Sequence, residues 1–167
     1  SDIKGPFKKV GVFVNATEQE VLETAESCGL DMVQLHGDEA PLFCEKIADK
    51  IPVIKAFRLL GNDDVLYKVL PYGEVVDYFL FDTNTKSFGG SGKRFDWGIL
   101  SDLKIEKPFF LSGGISDEHL GDLASFRKLN VAKSLFSLDI NSRFETAPGV
   151  KDLAKIDAFL KQLKVNE

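Results

Sequence analysis

The chain has 167 residues, 44% of them hydrophobic and 28% charged, with a formal net charge of -5, which is the composition of one ordinary globular domain with a sizeable core. The 21 Lys and Arg are scattered along it, which excludes a nucleic-acid footprint. No stretch approaches the roughly 18 apolar residues of a membrane span, and two cysteines, Cys28 and Cys44, make neither a disulfide framework nor a metal cluster. Residues 1–167 are therefore read as a single domain in a reducing cytoplasm, with neither nucleic acid nor membrane as partner.

In chain order, Val10 to Val14 is a β-branched and aromatic run that predicts a strand. Thr17-Glu18-Gln19-Glu20 follows as a capping box, and the helix it opens carries Val21, Leu22, Ala25 and Cys28 at helical spacing before Gly29 ends it. Met32 to Leu35 predicts the next strand, ending at His36-Gly37. Asp38 and Pro41 mark entry to a helix with Leu42, Phe43, Ile47 and Ala48. Pro52 to Phe57 reads as a strand ending at Arg58, Asp63 to Leu70 as a helix, and Tyr78 to Phe81 as a strand closed by Asp82. After the glycine loop Gly89-Gly90-Ser91-Gly92, Phe95-Asp96-Trp97 reads as a helix start, with Asp96 its cap and Trp97 a packing anchor. Phe109 to Leu111 is a short strand ending in Ser112-Gly113-Gly114, and Asp117 to Phe126 a helix capped by Ser116. A last strand falls near Leu135 to Leu138, ending at Asp139, Asn141 and Ser142. The closing helix runs from about Pro148, with Val150, Leu153, Ile156, Phe159, Leu160 and Leu163 as one stripe on the sheet.

Strands alternating with helices at these intervals give an α/β protein with a parallel sheet and right-handed crossovers. Each strand ends in a polar residue: Asn15, His36, Arg58, Asp82, Ser112 and Asp139. That suits a (β/α)8 barrel, whose strands all point at one mouth, better than an open sheet, which uses only the ends beside its switch point. A closed barrel takes about 200 residues or more, so about six of the eight β/α units are expected here. Ser1 to Phe7 reads like the tail of a preceding element, and the chain is expected to be a fragment whose first and last strands have open edges. Such edges invite homodimerisation or strand exchange.

A carboxylate at a strand's carboxyl end, as at Asp82, reads either as a proton donor or acceptor or as a turn cap. Gly113, Gly114, Asn141 and Ser142, on the two last strand ends, predict an anion cradle of backbone amides fit for a phosphate. His36 reads as a substrate-binding group or a satisfied structural residue, and Arg58 as a carboxylate partner or a solvated rim charge.

Taken together, Val10-Gly11-Val12-Phe13-Val14-Asn15, Val33-Gln34-Leu35-His36-Gly37-Asp38-Glu39, Asp82-Thr83 with the glycine loop and Phe95-Asp96-Trp97, Leu111-Ser112-Gly113-Gly114-Ile115, and Asp139-Ile140-Asn141-Ser142 with Pro148-Gly149-Val150-Lys151-Asp152 resemble the phosphoribosylanthranilate isomerases. The resemblance runs through nearly the whole chain. It implies a TIM-type (β/α)8 barrel of tryptophan biosynthesis, which rearranges N-(5-phosphoribosyl)anthranilate to 1-(2-carboxyphenylamino)-1-deoxyribulose 5-phosphate with no cofactor and no metal. It implies Asp82 as the general acid on the furanose ring oxygen and a phosphate site, and Gly113, Gly114, Asp139, Asn141, Ser142, His36 and Arg58 are taken as the candidate phosphosugar-binding set. The family draws its base from a cysteine in a Lys-x-Cys-Gly motif and carries an arginine suited to the anthranilate carboxylate; neither motif occurs in this sequence, and Cys28 and Cys44 belong to helices. Two alternatives follow: a non-catalytic remnant that binds phosphosugars without turnover, or another phosphosugar barrel enzyme, such as an epimerase or indole-glycerol-phosphate synthase.

Overall fold

The computed structural model describes residues 7–61, 63–83 and 97–165. They divide into two compact units, Ser1–Phe57 with Tyr67–Leu80, and Arg58–Leu66 with Phe81–Glu167. Six strands, β1 (Val10–Phe13), β2 (Met32–Leu35), β3 (Val53–Leu59), β4 (Tyr78–Thr83), β5 (Phe109–Leu111) and β6 (Leu135–Leu138), join one sheet in chain order. The pairs β1–β2, β2–β3 and β5–β6 are parallel.

In the first unit, α1 (Glu18–Cys28) begins where the sequence says it must. Thr17 Oγ1 accepts from the Glu20 amide at 3.2 Å, and Glu20 Oε2 accepts from the Thr17 amide at 2.8 Å. Gly29 adopts φ 57°, and the amides of Gly29 and Leu30 return to the last turn. α2 (Pro41–Ala48) has proline in its first turn and no side-chain cap. Along β2, Val33 and Leu35 are buried while Met32 and Gln34 are only half-buried. In β3, all five residues Val53 to Phe57 are buried, the signature of a strand covered on both faces. Val33, Leu35, Cys44, Ile47 and Val53, all fully buried, form the unit's core.

In the second unit, Phe81, Phe109, Phe126 and Trp97 pack ring against ring at 5.3 to 6.4 Å, so Trp97 is the anchor the sequence suggests. Its segment, Trp97–Leu100, is a 3-10 turn; the glycine loop and Phe95-Asp96 lie outside the described residues.

Several boundaries differ from expectation. β1 stops at Phe13. β3 runs to Leu59, so Arg58 lies inside the strand and not after it, and β4 likewise includes Asp82. The helix expected over Asp63 to Leu70 is shorter, α3 (Val65–Val69), followed by a 3-10 turn to Tyr72. Asp117 to Phe126 is a 3-10 turn, Asp117–His119, leading into α4 (Leu120–Phe126); Ser116 makes no side-chain cap there, and its hydroxyl lies 3.0 Å from His119 Nδ1. The closing helix does not start at Pro148. Gly149, at φ 78°, turns a small antiparallel hairpin of β7 (Glu145–Ala147) and β8 (Val150–Lys151). The helix, α5 (Leu153–Val165), begins after Asp152, whose Oδ1 accepts from the Lys155 amide at 3.0 Å. Of its expected stripe only Phe159 and Leu163 are buried, with Ile156 half-buried, while Val150, Leu153 and Leu160 are exposed.

Both sheet edges carry apolar side chains in the open: Val12 on β1 is 61% exposed and Phe136 on β6 is 58% exposed. No helix among the described residues is long and apolar enough to cross a membrane.

Candidate active site

The second unit brings most of the sequence-derived site residues to one end of its strands. The Ser112 amide donates to Phe81 O at 2.8 Å, and the Asp139 amide to Leu111 O at 2.8 Å. Asp82, Ser112 and Asp139 therefore follow one another across β4, β5 and β6 at the carboxyl ends, one strand spacing of about 4.8 Å apart. Asp82 is half-buried.

Ser112, which is buried, donates its hydroxyl to Asp139 Oδ2 at 2.9 Å. The bond fixes both side chains and ties the end of β5 to the end of β6. Gly113 and Gly114 follow at φ 90° and 72°, a backbone that costs an ordinary L-residue about 1–2 kcal/mol. Nothing lies within 4 Å of where a Gly114 Cβ would stand, so glycine is used there for its backbone and not for lack of room. A glycine turn at the carboxyl end of a strand leaves backbone amides without side chains in the way, which suits an anion.

Asn141 and Ser142, after β6, are exposed, and Ser142 opens a 3-10 turn to Phe144. Lys151, on β8, reaches back to this loop: its Nζ donates to Asn141 Oδ1 at 2.5 Å and to Glu145 Oε1 at 2.8 Å. The bond from Lys151 holds the Glu145 carboxyl below the usual range. Lys151 has no role in the sequence reading; its cation next to Asn141 follows from the hairpin, which the sequence reading does not contain.

His36 lies in the first unit, just after β2. It is half-buried, its amide donates to Phe13 O at 2.8 Å, and its Nδ1 is 2.8 Å from Gln34 Nε2. Gln34 is a second residue without a role in the sequence reading. It sits two places before His36, so both side chains leave the strand on one face, which is the signal that marks it.

The same unit holds a buried ion pair. Lys55, in the middle of the apolar run of β3, and Glu39, after β2, are each 3% exposed at the side chain and meet at 3.0 Å. Burial alone would raise Glu39, but the Asn15 amide and the Lys55 ammonium outweigh it, and the carboxyl sits below its ordinary value. Tyr72 OH donates to Glu39 O at 3.0 Å. Arg58 is exposed within β3.

Cys28 and Cys44 are free thiols, in α1 and α2. Burial pushes the Cys44 thiol up to about 11, which makes it unfit as a base near neutral pH. An open groove of about 650 Å³ in the second unit, lined by Phe136, Leu138, Ile140, Phe159 and Leu163 among others, takes in none of the site residues named above.

A sequence model of the N-(5'-phosphoribosyl)anthranilate (PRA) isomerase family matches residues 2–162. The N-(5'-phosphoribosyl)anthranilate isomerase of Parabacteroides distasonis is 46% identical over 157 residues, which are 93% of this chain and 69% of that protein. The solved phosphoribosyl anthranilate isomerase of Thermus thermophilus superposes with a TM-score of 0.81 at 31% identity, covering 98% of this chain and 76% of that one. A phosphoribosyl anthranilate isomerase solved in complex with reduced 1-(o-carboxyphenylamino)-1-deoxyribulose 5-phosphate gives 0.79 at 31% identity, covering 98% and 75%.

Proposed function

Because the chain belongs to the N-(5'-phosphoribosyl)anthranilate isomerase family, enzymes of tryptophan biosynthesis on a TIM-type barrel, we propose that Asp82 is the general acid of that Amadori rearrangement. The observation that carries the proposal is the row of Asp82, Ser112 and Asp139 on neighbouring strand ends, beside the positive-φ turn of Gly113 and Gly114.

One phosphosugar spans such a row. Gly113, Gly114 and Ser142 take the phosphate through N–H and O–H donors, with Asn141 held beside them by Lys151. Asp139, an acceptor when ionised, suits a sugar hydroxyl better than a phosphate. Asp82 gives its proton to the furanose ring oxygen as the bond from that oxygen to C1 breaks, while the anthranilate nitrogen donates its lone pair to C1 and forms the iminium. Loss of the C2 proton then returns electrons to nitrogen as the enolamine, and proton return at C1 gives the aminoketone. The family resemblance carries His36 and Arg58 as further binding groups.

The family's Lys-x-Cys-Gly base has no match in these 167 residues, and the raised Cys44 thiol does not replace it. A second reading is phosphosugar binding without turnover by residues 1–167 alone. Free Cys28 and Cys44 support a reducing cytoplasm.

The experiment follows loss of the fluorescence of N-(5'-phosphoribosyl)anthranilate, with Asp82→Asn as the comparison. General acid–base catalysis is worth about 10²–10⁴-fold, and the acid reading expects a loss of that size. Equal rates from the two proteins would refute Asp82 as the acid. Phosphosugar binding without turnover by the unsubstituted chain would select the second reading.

A further inference from the structure

We infer that the buried Lys55–Glu39 pair is a clamp that positions His36. Lys55 Nζ shares its three protons among four acceptors: Leu35 O at 3.2 Å and Gly37 O at 2.8 Å, the carbonyls on either side of His36, Ala56 O at 3.2 Å and Glu39 Oε2 at 3.0 Å. Glu39 closes the grip from the other side, its Oε1 accepting from the Gly37 amide at 3.1 Å and the Asn15 amide at 2.9 Å. Asn15 holds the left-handed backbone, φ 53°, and its Oδ1 accepts from the Asp38 amide at 2.7 Å. A side chain on Gly37 would collide with that same Asn15 oxygen. The backbone on both sides of His36 is thus tied to β1 through Asn15 and to β3 through Lys55.

The clamp has a chemical consequence at the imidazole. Gln34 Nε2 and His36 Nδ1 meet at 2.8 Å, and a ring held in place at that contact keeps the one tautomer the contact selects. Stability alone does not account for the pair, because a buried ion pair is often replaced by apolar residues at no cost. Placing a loop is the role that needs these charges. The clamp rests on the isomerase reading only for what His36 binds; its geometry is tested without substrate.

His36 and His119 are the two histidines of the chain, so ¹⁵N imidazole spectra of the full 167-residue protein resolve both, and His119→Gln assigns them. The unsubstituted protein is expected to give a single-tautomer pattern at His36. Lys55→Met strands a buried carboxylate, so the working variant is Glu39→Gln with Lys55→Met, which leaves no buried charge. In it His36 is expected to lose the single-tautomer pattern while His119 is unchanged. A wild-type pattern at His36 in the folded double variant would overturn the clamp. Loss of native dispersion at both histidines in both variants would overturn it too, by assigning the pair to folding alone. Titration with reduced 1-(o-carboxyphenylamino)-1-deoxyribulose 5-phosphate separates the two proposals: an intact His36 pattern with no binding sinks the substrate reading and leaves the clamp standing.

Discussion

Removing the ammonium of Lys55 breaks a buried ion pair, and the size of the effect follows from what is left behind. In Lys55→Met the Glu39 carboxylate stays in a site 3% exposed with no counter-charge, and the carbonyls of Leu35, Gly37 and Ala56 lose a donor. Breaking a buried pair by removing one partner costs about 3–5 kcal/mol, a large part of the roughly 5–15 kcal/mol by which a domain is stable. With a urea slope of about 2 kcal/mol/M, the midpoint falls by about 2 M. Glu39→Gln is also costly, because it strands the buried ammonium and a glutamine whose oxygen accepts from the Asn15 and Gly37 amides turns its NH2 onto Lys55 Nζ. The double variant loses hydrogen bonds but strands no charge, so it is expected within about 1–2 kcal/mol of the unsubstituted chain. The two single changes are therefore non-additive by about 2 kcal/mol or more. Urea unfolding of the four proteins, followed by circular dichroism at neutral pH, measures this cycle. A double variant as unstable as Lys55→Met, or a Lys55→Met shift below about 0.5 M, would refute the reasoning.

The pair also sets an acid limit. The Glu39 carboxyl is lowered from its ordinary 4.5 in the folded chain, so its contribution is complete above that value and is lost as pH falls through the folded value; Glu39→Gln should flatten the fall in urea midpoint between neutral and acidic buffer, and an unchanged slope would remove Glu39 as a cause. Gly114→Ala has room for its methyl but not the backbone for it, φ 72°, so it should cost about 1–2 kcal/mol and weaken inorganic phosphate binding seen by ³¹P NMR, whereas unchanged binding would take the Gly113–Gly114 turn out of the anion site. The exposed Val12 and Phe136 on the two sheet edges predict self-association that rises with concentration, and Val12→Lys with Phe136→Lys should reduce it in light scattering; a clean monomer from the unsubstituted chain at high concentration would count against open-edge pairing.

What the sequence reveals of this protein is what adjacent residues decide. Thr17 and Glu20 cap α1 and Gly29 ends it because each acts within one turn of the chain. The paired glycines after Leu111 likewise mark their turn with no help from elsewhere. Strand ends are set by partners, and there the reading slips: β3 continues past Phe57, which moves Arg58 from a strand end into a strand. Val150 fits the apolar spacing of the closing helix, yet Pro148 and Gly149 beside it are turn residues, and the backbone follows the turn.

The Lys55–Glu39 pair shows why the remainder stays hidden. A lysine within Val53-Ile54-Lys55-Ala56-Phe57 reads locally as the exposed residue of an alternating strand, yet all five are buried. Its counter-charge lies 16 residues away, beyond any helical or strand period, and only the parallel pairing of β2 with β3, which sets Leu35 opposite Lys55, brings them together. A charge inside an otherwise apolar parallel strand thus carries its own signal: it must be paired to be buried. Its partner is to be sought at the carboxyl end of the neighbouring strand. Here that search leads from Lys55 to Glu39 and to the backbone on either side of His36, a residue the sequence marks as polar at a strand end without saying what holds it there.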